Sequence, residues 1–269
     1  MSGGMNGTFP PVATPLTRRP TAGRPPPVLH GLLAQFGLLV GVNLGLLLGL
    51  IAVLSRLADG GLGVGPALGI GLYVIVNALL FRGLVLSYPH GSLGLCNVVT
   101  HIRATLTASL ASVVPAATVL ATDQALAWSV AGIAVAALVC DGIDGWAARR
   151  SRLVSAFGAR FDMEVDSVLA LVLALIVLRL GKVGDWVILL GVMHYLFVAA
   201  MWVFPRIARP TPPRMSGKVI CVLQIAALIA LMTPVVTPPL APIMAGAVLL
   251  LVAWSFAVDL RWLWQTRTL

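Results

Sequence analysis

Eight apolar runs divide this chain, each close to the roughly 20 residues that an α-helix needs to cross a bilayer. They span about 31–54, 64–87, 102–121, 126–148, 161–180, 186–204, 217–235 and 240–260. The segments between them carry helix breakers: "ADGGLG", "SYPHGS", "ATDQ", "GKVGD", "PRIARPTPPR" and "TPPL". The apolar residues do not alternate with a period of two, so the strands of a closed barrel are excluded. In lipid that leaves helices, which satisfy their own backbone hydrogen bonds. Composition agrees: 59% of residues are hydrophobic and 10% charged, where a soluble domain carries about 25% charged residues. The expectation is an all-α integral membrane protein of about eight transmembrane helices.

Residues 1–28, rich in Pro, Gly and Thr, read as a disordered tail. With the tail in the cytoplasm, only Arg56, Arg179 and Lys182 of the 18 Lys and Arg lie on the far side. Such a split sets orientation, and it accounts for the net charge of +9 without a nucleic-acid partner. Both termini then lie in the cytoplasm, and the protein sits in the inner (cytoplasmic) membrane. Cys96, Cys140 and Cys221 are scattered and read as packing residues. Asn43 and Asn77, the main polar groups of the first two spans, read as interhelical glue. Trp186, Trp202, Trp262 and Trp264 read as interface anchors, and His194 as a packed helix residue.

Nine acidic residues occur in the chain, and Asp141, Asp144, Asp162, Glu164 and Asp166 fall in one short stretch at the cytoplasmic ends of spans four and five. Asp141 and Asp144 are three residues apart, and Asp162 and Asp166 four apart, so each pair shares a helix face. Glu164 lies about 200° round the helix from Asp162 and should point elsewhere. Ionised groups at membrane depth are costly and mark function. Four carboxylates brought together repel one another unless cations sit among them, and an all-oxygen donor set suits Mg²⁺ or Mn²⁺. Gly145 and Gly158 weaken their helices but let a flat ligand approach the backbone.

The stretch is similar to the signature of the CDP-alcohol phosphotransferase family. Asp141, Asp144-Gly145, Ala148-Arg149, a spacer of eight residues, Gly158, Asp162 and Asp166 reproduce its pattern in order. "CNVVTHIRATL" resembles the family's Pro-Asn-x-Leu-Thr-x-x-Arg segment through Asn97, Thr100 and Arg103, with Cys96 in place of Pro. "SGKVICVLQ" resembles the Gly-Lys-x-x-Thr-x-x-Gln segment of the phosphatidylglycerophosphate synthase branch, with Cys221 in place of Thr. The resemblance covers about residues 93–260. It implies an enzyme that transfers a phosphatidyl group from CDP-diacylglycerol to a small polar alcohol, releasing CMP, and that works as a homodimer. It implies that Asp141, Asp144, Asp162 and Asp166 hold Mg²⁺ or Mn²⁺, with Asp166 also the general base. Thr100, Asp144, Gly145, Ala148, Arg149 and Gly158 would bind the CDP moiety.

The domain organisation expected is a tail over 1–28, two accessory helices over 29–90, a six-helix catalytic core over 91–263 and a C-terminal tail over 264–269. Arg206, Arg209, Arg214 and Lys218 set topology, and Arg209, Arg214 and Lys218 are also candidates to grip an acceptor phosphate. Glycerol 3-phosphate is the expected acceptor; inositol or its phosphate, serine and a choline-type alcohol are the alternatives. Two other classes fit the stretch less well. An intramembrane prenyltransferase would carry a second Asp-rich motif, which is missing. An ion-coupled transporter would hold its carboxylates near the midplane.

Overall fold

The computed structural model describes residues 26–59, 61–88, 90–151, 156–204 and 214–265, with side chains for all of these except 26–29, 87, 143–151 and 156. Among them the chain forms α1 (Pro26–Leu57), α2 (Gly65–Ser87), α3 (Leu95–Ala111), α4 (Gln124–Ser151), α5 (Ala156–Leu180), α6 (Ile188–Val203), α7 (Met215–Met232) and α8 (Leu240–Gln265). Two 3₁₀ segments, Val114–Ala121 and Asp185–Val187, complete the regular structure. No strand occurs among the described residues, and the protein is an all-α, multi-pass membrane protein.

The count of eight spans is not confirmed. Among the described residues six helices are long and apolar enough to cross a membrane, or seven if α3 and the 3₁₀ segment after it make one span. The third apolar run is broken: α3 and Val114–Ala121 meet at 69°. Pro115 sits at the start of that segment, where its ring cannot continue an α-helix. Ser109 Oγ donates to Leu106 O (2.7 Å) and Ser112 Oγ to Ser109 O (2.6 Å), so hydroxyls engage the carbonyls at the break. The fifth run is helical throughout, but Arg160, Asp162, Glu164, Asp166 and Arg179 leave it too charged to qualify on composition.

Helix α3 is the axis of the bundle. It is buried at Asn97, at Thr100 and His101, and from Arg103 to Ala111, and α1, α2, α4 and α5 all pack on it. Its buried residues are largely Thr, Ser and Ala, small enough to let four helices approach. At Gly65 and Gly69 of α2 an added Cβ would stand within 1.8 Å of Ser112 O and 2.7 Å of Ala108 O, so α2 lies against the α3 backbone.

Both N-terminal asparagines reach α3. Thr105 Oγ1 donates to Asn43 Oδ1 (3.2 Å), and Asn77 Oδ1 pairs with His101 Nε2 (2.9 Å). A second apolar cluster, Leu32, Phe36, Leu80, Leu84 and Tyr88 with Phe157 and Phe161, ties α1 and α2 to the start of α5. The first two helices are therefore packed on the two helices α3 and α5. Their other faces present Leu38, Val42, Leu79 and Leu86 outward, as lipid-facing helices do.

Helices α5 and α6 pack closely at Gly191, where an added Cβ would lie 2.8 Å from Leu171 Cα and 2.9 Å from Ala174 Cβ. Gly132 of α4 has nothing within 4 Å of that position. Gly191→Val should therefore lower the melting temperature in detergent, at a cost of about 1–3 kcal/mol of overpacking. Gly132→Ala should be neutral or slightly stabilising. Equal melting of the two variants would refute the α5–α6 contact.

Candidate active site

Three helices converge on one charged cluster. Helix α4 supplies Asp141, α5 supplies Asp162 and Asp166 one turn apart, and α3 supplies Arg103. One carboxylate oxygen from each aspartate lies within 4.8 Å of the others. Arg103 Nη1 donates to Asp162 and lies 3.3 Å from Asp141, and Nη2 donates to Asp166. The Arg103 side chain is 0% exposed, whereas the three carboxylates remain 24–37% exposed. A small solvent-open pocket adjoins the cluster, lined by Asp141, Asp166 and Arg103 together with Leu138, Cys221 and Ile225.

Sequence reasoning counted Arg103 among the topology-setting charges and as part of a short motif, but not as a site residue. The signal was present: a charge inside an apolar run must find a partner, and the acidic stretch supplied several. Asp162 and Asp166 sit together, as their i, i+4 spacing requires, and Glu164 is exposed on another face, within electrostatic reach of His194 and Tyr195 of α6.

The oxygen set fits a hard divalent cation. Octahedral ligands at about 2.1 Å stand up to about 4.2 Å apart across the ion, close to the 4.8 Å limit within which these oxygens fall. Three carboxylates against one guanidinium also leave an excess of negative charge on one face of the pocket.

Of the other residues predicted from sequence, Thr100 is buried, and its Oγ1 donates to Cys96 O at 2.9 Å. Asn97 Nδ2 donates to Tyr88 Oη (3.0 Å), which in turn donates to Ser92 O (2.9 Å), so the loop before α3 is fastened to that helix. Gly158 lies one turn before Asp162 on α5. Asp144, Gly145, Ala148 and Arg149 continue α4, but their side chains lie outside the described residues, and Arg209 lies wholly outside them.

The pattern of the family described as CDP-alcohol phosphatidyltransferase matches residues 93–258, which takes in α3 to most of α8. The chain belongs to this family. No curated protein and no solved structure matches it. Membership makes the chain a membrane transferase of phospholipid synthesis that passes a phosphatidyl group from a CDP-linked donor to an acceptor. The matched region includes Arg103 and all three clustered aspartates, and α1 and α2 precede it.

The basic groups that precede and open α7 divide into two kinds. Arg214, the residue before α7, donates through Nη1 to Asp259 Oδ1 of α8 (2.6 Å) and through Nη2 to Ser216 Oγ (3.2 Å). Asp259 was overlooked in the sequence, although a lone acid in the last apolar run calls for a cationic partner. Lys218, one turn into α7, is exposed and lies within electrostatic reach of Asp162. Arg214 and Asp259 are each about a quarter exposed, so their pairing should contribute on the order of 1 kcal/mol. Arg214→Ala, Asp259→Ala and the double variant should all melt at nearly the same temperature. Additive losses in the double variant would show that the two side chains do not act as a pair.

Proposed function

We propose that the protein transfers the phosphatidyl group of CDP-diacylglycerol to a phosphorylated alcohol, with glycerol 3-phosphate the favoured acceptor, and releases CMP. The observation that carries this reading is the meeting of Asp141, Asp162 and Asp166 in one half-buried cluster, within a chain of this family.

In the proposed reaction the acceptor hydroxyl oxygen attacks the lipid-side phosphorus of the diphosphate. The bond from that phosphorus to the bridging oxygen breaks, and CMP leaves with that oxygen. Asp166 takes the hydroxyl proton, a role open to a carboxylate within hydrogen-bond reach of the acceptor. Asp141, Asp144, Asp162 and Asp166 hold Mg²⁺ or Mn²⁺, whose positive charge would offset that of the diphosphate and of the departing CMP. Thr100, Asp144, Gly145, Ala148, Arg149 and Gly158 bind the CDP moiety. Their spacing keeps small residues beside the carboxylates, where a flat base needs backbone approach.

For the acceptor, Arg209, Arg214 and Lys218 are the candidate phosphate ligands. The Arg214–Asp259 pair makes Lys218 the strongest of them, because a phosphate on Arg214 would have to compete with a carboxylate already in place. The site faces the cytoplasm of the inner membrane in this reading, which rests on the uneven distribution of Lys and Arg.

The test is CMP release from CDP-diacylglycerol by purified protein with a panel of alcohols. Release should be fastest with glycerol 3-phosphate, vanish in EDTA and return with Mg²⁺ or Mn²⁺. Full activity in chelator would remove the metal assignment, and preference for an uncharged alcohol would remove the acceptor assignment. Asp141→Ala, Asp144→Ala and Asp162→Ala should each lose more than the about 10–100-fold typical of groups outside a ligand set, while Glu164→Ala keeps most of its activity. Lys218→Ala should raise the acceptor KM about tenfold or more and leave that of the donor unchanged, as expected for one charge-assisted contact.

Orientation has its own check. A cysteine at Thr237, between α7 and α8, should react with an impermeant thiol reagent added outside intact cells. Labelling only after permeabilisation would invert the topology.

A further inference from the structure

We infer that Arg103 is a built-in counter-cation of the aspartate cluster, contending with the divalent metal for the same oxygens and so setting how tightly the site takes it. The inference rests on the metal reading above and concerns a residue to which that reading gives no role.

Three observations carry it. The guanidinium engages Asp162 and Asp166 through separate nitrogens, and Nη1 also lies 3.3 Å from Asp141, so it touches every carboxylate of the cluster. It is 0% exposed, the largest fully buried side chain in the molecule among the described residues. Its backbone is fixed on the most buried helix, where Thr107 Oγ1 donates to Arg103 O at 2.8 Å. A group so held cannot leave for solvent and remains near the carboxylates whatever else binds them.

An oxygen lone pair directed at a guanidinium N–H is not available to a metal at the same moment. Each carboxylate has further lone pairs, so the two cations need not exclude each other completely. They do compete, both for lone pairs and by mutual repulsion at close range in a half-buried setting. Without Arg103, three carboxylates would repel one another across a few ångströms. With it, the cluster is stable before any metal arrives, and metal capture must displace part of the guanidinium's hydrogen bonding. The displaced donors would then face the pocket, on the side where an anionic diphosphate would bind. Metal affinity is thus lowered in the protein alone and recovered when the donor gives the guanidinium another anion.

The experiment compares wild type with Arg103→Met, which keeps much of the volume and removes the charge, and with Arg103→Lys, which keeps the charge but not the two-armed geometry. All three are purified with Mn²⁺, stripped by dialysis, and titrated with Mn²⁺ alone, reading binding by electron paramagnetic resonance and melting temperature in parallel. Arg103→Met should melt below wild type when stripped, gain more from Mn²⁺ than wild type does, and bind it about tenfold or more tightly, a change of 1.4 kcal/mol per tenfold. Arg103→Lys should fall between the two, and it carries the comparison if stripped Arg103→Met does not stay folded. Mn²⁺ affinity in the variants equal to or weaker than that of wild type overturns the inference. Failure of wild type and variants alike to bind Mn²⁺ overturns the metal reading itself, and the inference with it.

Discussion

A guanidinium with no exposed surface is the interaction on which the rest of this structure depends. Removing such a charge from water is affordable only with ionised partners in good geometry, and Arg103 finds three. Those partners come from α4 and α5, so the charge requirement of one residue on α3 fixes how three helices meet. Apolar packing in lipid cannot do this alone, because lipid tails are as apolar as the side chains and give helices little reason to prefer one register. The ion cluster supplies register, and the small residues of α3 supply the closeness.

The same reasoning explains why α1 and α2 attach where they do. Their lipid-facing rows carry no instruction about partners, but Asn43 and Asn77 must satisfy amide groups. Asn43 accepts from Thr105, and Asn77 pairs with His101 one turn away, so α1 and α2 both attach to the face of α3 that His101 and Thr105 share. Asn77 Nδ2 donates to Tyr73 O, which orients its carbonyl toward His101 and makes Nε2 of that ring the protonated nitrogen. Tyr73 Oη donates in turn to Val40 O at 2.7 Å. A polar seam therefore runs from α1 through α2 to α3, beside the charged cluster rather than remote from it.

Helix number and type were legible because long apolar runs between breakers leave few alternatives in lipid, and every expected run became helix over most of its length. The count of spans was not, for two local reasons. Pro115 sits within an apolar run whose average hydropathy conceals a 69° break. The acids of α5 leave a helix that is continuous in backbone but not apolar over the length of a bilayer. In the site, the spacing of Asp162 and Asp166 announced a shared face, as did the outward direction of Glu164. Spacing within one segment says nothing about a partner 59 residues away, so the pairing of Arg103 with Asp162 had to come from the packed structure. The same holds for Arg214 and Asp259, which are 45 residues apart.

The two ends of the bundle handle their cations differently, and the difference bears on chemistry. At the end away from the cluster, Lys182 donates to Leu231 O (3.3 Å) and Thr233 O (2.5 Å), and Arg179 donates to Pro115 O (3.2 Å). Leu231 O and Thr233 O lie where α7 stops, a place that favours cations through partial charge; burial also lowers the Lys182 pKa. Such contacts satisfy backbone carbonyls and bring no carboxylate together with these cations. At the opposite end the oxygens belong to carboxyl groups, three of them around the single guanidinium of Arg103. Lys218 lies within electrostatic reach of Asp162, and the remaining negative charge would attract a cation from outside, the more strongly where water is removed. The family's chemistry needs a place where a diphosphate, itself anionic, is brought against protein carboxylates. In the proposed reading a cation would mediate between them, and among the described residues the α3–α4–α5 junction is where three carboxylates are assembled.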